Sequence, residues 1–139
     1  MAALGSSNAL YLIGMILKTR NNYKLAFGYF SRASDGGIFE ATYELAFCYK
    51  DGLGTKVDFE KALTLFRKAS EGGCGKASYY LGLIHEHGRG VEPNLVEAVK
   101  LYRSGSRQGN INAMKRLARC YTDGRGVERE KEDVKRLFI

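Results

Sequence analysis

Two stretches, Cys48–Phe66 (CYKDGLGTKVDFEKALTLF) and Ile84–Tyr102 (IHEHGRGVEPNLVEAVKLY), decide how this 139-residue chain is read. Both set a Gly-x-Gly among polar neighbours, and both continue into an apolar pattern with charged residues on its other side. A phosphate cradle would need such a turn to follow a strand and to open a helix. Here the residues before each glycine pair have helical spacing instead. The first glycine falls where a helix C-terminus favours a left-handed residue. Asp58 and Asn94 then stand near the next helix start as expected N-caps. The glycines therefore punctuate two helices.

The two stretches are copies. Ala26, Ala62, Ala98 and Val134 are each 36 residues apart, as are Phe30, Phe66, Tyr102 and Phe138. The same step links Gly37, Gly73 and Gly109; Ala41, Ala77 and Ala113; and the pairs Gly52/Gly54, Gly88/Gly90 and Gly124/Gly126. ATYELAFCY and ASYYLGLIH each read as one helical stripe, and FEKALTLFRKAS and LVEAVKLYRSGS as another. A two-helix unit cannot bury its apolar stripes alone, so neighbouring units must stack. The pattern predicts one all-α domain over residues 1–139, with units at 6–40, 41–76, 77–112 and an incomplete 113–139. The first unit differs: Ala9 to Ala41 is 32 residues, and KTRNNYK replaces the glycine loop. The third unit carries Gly105 where the others have Ala33 and Ala69. Both ends of the pattern read as cut, so the chain is expected to be a piece of a longer array.

The motif A-x-x-x-L-[GA]-x-x-[YH]-x-x-G-x-G, with the second-helix pattern that follows it, resembles the Sel-one-like repeat. This is a branch of the tetratricopeptide-like solenoids. The resemblance implies a right-handed alpha-alpha superhelix that serves as a scaffold or adaptor, often in signalling. It also implies that the first helix of each unit lines a concave binding face. By register that face carries Tyr11/Met15, Tyr43/Phe47, Tyr79/Leu83 and Lys115/Arg119. Each pair is i, i+4 and so shares one helix face. The expected occupant is another protein: a peptide against the tyrosines, with an acidic segment on the two cations. Equally, the tyrosines can serve only to pack units together.

Charge sharpens this. The formal net charge is +7, but residues 1–99 contribute +1 and residues 100–139 contribute +6. Lys100, Arg103, Arg107, Lys115, Arg116 and Arg119 follow one another with no acid between them. Nucleic-acid binding through residues 100–119 is therefore the competing reading, though no base-reading motif accompanies it. A cysteine-rich bacterial branch of the family, associated with beta-lactam binding or hydrolysis, implies a hydrolase as a remote alternative. The paired cysteines that mark that branch are missing.

No catalytic or metal-binding constellation emerges, and no cofactor, membrane or small-molecule ligand is expected. His85 and His87 are two apart, a poor chelate on a helix, and His85 sits in the register of Tyr49 and Tyr121. Cys48, Cys74 and Cys120 are too few for a disulfide framework and are expected to be thiols in a reducing compartment, the cytoplasm.

Overall fold

From the second helix onward the repeat gives helices of one length, 13 residues. The protein is described by a computed structural model over residues 4–124. Its helices are α1 (Leu4–Thr19), α2 (Tyr23–Asp35), α3 (Phe39–Asp51), α4 (Phe59–Glu71), α5 (Gly75–His87), α6 (Leu95–Arg107) and α7 (Ile111–Asp123). No strand occurs among the described residues. The expected fourth second-helix, with Gly126, Val134 and Phe138, lies outside them. Two compact units divide the chain, residues 1–74 and 75–139.

The glycine loops close through the same hydrogen bonds in both copies. Gly52 and Gly88 leave their helices at φ 70° and 67°, and Gly54 and Gly90 follow at 76° and 75°. These left-handed angles are free of steric penalty only for glycine. The Leu53 amide then donates to Cys48 O at 2.9 Å, and that of Arg89 to Ile84 O at 3.1 Å. Further on, the Asp58 amide reaches Tyr49 O and the Asn94 amide reaches His85 O, both at 2.9 Å. The expected N-caps are in place: Asp58 Oδ1 accepts from the Lys61 amide at 3.1 Å, and Asn94 Oδ1 from that of Glu97 at 3.0 Å. In the shorter first loop Asn21 takes the left-handed role at φ 59°, a conformation asparagine tolerates better than most residues.

In the first unit α1 packs along α2, α3 along α4, and α2 against α3. Phe30 and Phe66 are essentially fully buried, along with Ala26, Ala33, Ala41, Ala62 and Ala69. Phe30 lies over Gly14 of α1, where a Cβ would come within 2.7 Å of its ring. The second unit repeats this seating. Tyr102 is completely buried over Gly82 of α5, where a Cβ would approach its ring to 2.5 Å. Gly105 marks the closest approach of α6 to α7. A Cβ there would stand 2.8 Å from that of Ala113.

Burial ranks the core residues. Leu65 is only half-buried at the edge of the first core, whereas Phe66 is wholly inside. Truncating Phe66 to Ala is expected to cost about 3–5 kcal/mol, and Leu65→Ala distinctly less. Arg89→Ala, on an exposed loop residue, is expected to stay within about 0.5 kcal/mol of the parent. Urea unfolding followed by circular dichroism measures all three.

Candidate functional site

The first-helix residues singled out by register divide into two chemical classes. In the first unit Tyr43 and Phe47 sit edge to face at 5.0 Å, and both meet Phe66, at 6.0 and 5.1 Å. Tyr11 lies 6.3 Å from Phe30, and Met15 packs on the same core. In the second unit Tyr79 lies 6.3 Å from Tyr102, and Leu83 packs beside it. All six are half-buried. They brace the second-helix aromatic of their own repeat and keep only one side exposed. Burial, with the charges of Glu44 and Glu40 beside it, raises the Tyr11 phenol above its usual value.

Lys115 and Arg119 differ: both are exposed on α7. Asn112, Lys115, Arg116 and Arg119 stand at i, i+3, i+4 and i+7, one face of that helix. With Tyr79 of α5 they line a cleft of about 420 Å³. Arg116 is anchored there, its Nη1 3.6 Å from Glu86 Oε2. Glu86 is nearly sealed from solvent, with 2% of its side chain exposed, and its other oxygen accepts from the Tyr102 hydroxyl at 2.6 Å. Burial, followed by the Glu86 hydrogen bond, raises the Tyr102 phenol far above its ordinary value.

Of these residues, Asn112 and Glu86 escaped the sequence reading. Glu86 had a signal: a tyrosine at 102 where the repeat elsewhere has Phe30 and Phe66 calls for a buried hydroxyl partner. The first unit holds the counterpart of the Glu86–Arg116 pair with its charges reversed. Lys18 Nζ meets Glu44 Oε1 at 2.7 Å. Counting the four-residue deletion in the first loop, Lys18 and Glu86 share one repeat position, and Glu44 and Arg116 share another.

The basic run is divided by its contacts. Arg103 Nε donates to the Tyr121 hydroxyl at 2.8 Å, and its guanidinium lies over that ring. His85 is buried in the packed side of α5, while His87 is exposed. Among the described residues no group of three His, Cys, Asp or Glu is placed to hold a metal, and no helix is long and apolar enough to cross a membrane.

Glycine-jointed helix pairs, with a cation-lined cleft beside α7, define a helical repeat protein. The chain belongs to the Sel1 repeat family: four consecutive copies of the Sel1 repeat match residues 1–38, 39–74, 75–110 and 111–134. Members of this family are commonly protein-interaction scaffolds. The chain is similar to a Sel1 repeat protein from Oxalobacter formigenes, with 31% identity and a TM-score of 0.78 over 84% of this chain and 48% of that one. It is similar also to a protective antigen of uropathogenic Escherichia coli that displays an SLR fold. That match has 29% identity and a TM-score of 0.79 over 91% of this chain and 28% of the antigen. Helicobacter pylori cysteine-rich protein B matches at 28% identity and a TM-score of 0.63, over 66% of this chain and 69% of its own length. The chain thus spans less than half of the first two of these proteins. No curated protein matches it. The expected class, an all-α solenoid of helix-loop-helix repeats, is the one these neighbours share.

The three cysteines are free thiols, all buried. Desolvation, with Glu44 nearby, lifts Cys48 from 9.0 to about 11. Cys48 and Tyr102 both hold their protons more tightly folded than unfolded. Their contribution to stability is therefore complete below the unfolded values and is lost as pH rises through the folded ones. The melting temperature is expected to fall steadily between about pH 9 and pH 11, and iodoacetamide at pH 7 to leave Cys48 unmodified in the folded chain. Tyr102→Phe, which takes the hydroxyl away from buried Glu86, is expected to cost about 1.5–3 kcal/mol in urea unfolding.

Proposed function

We propose that the chain is a non-catalytic scaffold that holds a partner polypeptide against the first-helix faces of its repeats, with an acidic segment of the partner taken up by α7. The cleft is the observation that carries this reading. Lys115 and Arg119 are exposed on it, and neither has an ion partner among the described residues. Unpaired cations beside a half-buried tyrosine suit charge-assisted hydrogen bonds to carboxylates or phosphates. The tyrosine adds contact area at small entropic cost. Membership of a family of interaction scaffolds supports the same reading. Nucleic acid fits less well, because Arg103 is engaged with the Tyr121 hydroxyl and ring. That interrupts the continuous track of cations a backbone needs.

The test is fluorescence anisotropy with a labelled glutamate-rich decapeptide, comparing the parent with Lys115→Glu/Arg119→Glu. Both residues are exposed, so the double variant is expected to keep its circular dichroism and lose at least tenfold in affinity. Equal affinity in a folded double variant would sink the reading. Preferential retention of an oligonucleotide, with a steep salt slope, would hand the basic end to nucleic acid instead.

A further inference from the structure

The charge around the α7 cleft is specific enough to name the group that enters it. Lys115, Arg116 and Arg119 bring three positive charges to its wall, and Asn112 and Tyr79 add an amide and a phenol. No acid lines it. The carboxylate behind the wall, Glu86, is 2% exposed and is already held by Arg116 at 3.6 Å and Tyr102 at 2.6 Å. Counting Glu86, the described residues give the cleft a surplus of two positive charges. A single carboxylate neutralises half of that, whereas a phosphomonoester, which carries close to two negative charges near neutral pH, neutralises nearly all of it.

We infer that this cleft binds a phosphomonoester on the partner polypeptide, the phosphorylated side chain of a serine, threonine or tyrosine. The inference rests on the scaffold reading above and narrows it. Two features favour the phosphate beyond its charge. Arginine presents a planar fork that matches phosphate oxygens two at a time, and Arg116 is held in place by a carboxylate that solvent barely reaches. The cleft, at about 420 Å³, also has room for a whole modified side chain and not just a carboxylate. A phosphodiester backbone matches less well, since each of its phosphates carries one charge and the surplus here is confined to one face of one helix. Arg116 acts as a fixed post in this site, and Lys115 and Arg119 close on the ligand from the exposed side.

The chain itself is titrated with phenyl phosphate, with phenylacetate as the singly charged isostere, and with a short oligothymidylate, following backbone amide shifts by NMR. Phenyl phosphate is expected to bind at least fivefold tighter than phenylacetate, with shifts concentrated on α7 and around Tyr79. Lys115→Gln and Arg119→Gln, both on exposed side chains, are each expected to weaken it at least threefold without altering the rest of the spectrum. Equal binding of phenylacetate overturns the assignment, as does phenyl phosphate binding that neither variant weakens. Tighter binding of the oligothymidylate overturns it in favour of nucleic acid. Should phenyl phosphate fail while the glutamate-rich peptide still binds through Lys115 and Arg119, the phosphate assignment falls and the scaffold reading survives.

Discussion

Two of the repeats depend on seating one large aromatic ring against a glycine of the neighbouring helix. Phe30 over Gly14 and Tyr102 over Gly82 leave no room for even a methyl group between ring and helix. Such close approach lets a thirteen-residue helix, too short to be stable alone, gain its stability by burying an entire ring. The flanking alanines, Ala26 and Ala33 around Phe30 and Ala62 and Ala69 around Phe66, are fully buried and let the helices close in. The half-buried aromatics of the first helices follow from this arrangement. Tyr43 and Phe47 brace Phe66, and Tyr79 braces Tyr102. Their packing and any binding role use opposite sides of the same rings.

Periodicity made the architecture legible. A step of 36 residues is hard to produce by chance at six positions at once, and it locates the loops, the caps at Asp58 and Asn94, and the buried Phe66. The structure adds the reason for the irregularities. Gly105 lets α6 approach α7 to where a Cβ would stand 2.8 Å from that of Ala113, and Asn21 stands in for the missing glycine. The candidate site was legible only in part. Lys115 and Arg119 stood out because they break a register of tyrosine and apolar residues. Glu86 and Asn112 did not, since their meaning depends on which faces of α5, α6 and α7 meet, and spacing along one helix does not say that.

Polar groups inside the core follow a rule of their own. Lys18–Glu44 and Glu86–Arg116 occupy the same two repeat positions with the signs exchanged. What the fold requires there is a neutralised pair bridging successive first helices, not a particular sign. Breaking either pair would leave a buried carboxylate uncompensated, a larger penalty than the pair's own net gain. Exchange of sign is therefore cheap only when both members change together. In the second unit that exchange puts the cation on α7, where it faces the cleft.

Because a repeat protein reuses one scaffold, its particular chemistry has to come from where its copies differ. Three differences in the second unit are physically linked. The hydroxyl of Tyr102, absent at Phe30 and Phe66, holds Glu86. Glu86 in turn holds Arg116 in the wall of the cleft. An exposed arginine normally loses most of its rotamer freedom when it binds. Tethering Arg116 to a buried carboxylate moves part of that cost into folding, so less remains at the moment of binding. Lys115 and Arg119, exposed and untethered among the described residues, keep the freedom to adapt. In the proposed site, one anchored cation between two adaptable ones would offer a ligand both a fixed reference point and tolerance of its geometry. The anchoring chain ends in the fully buried Tyr102, so the orientation of Arg116 is specified by the core of the preceding repeat.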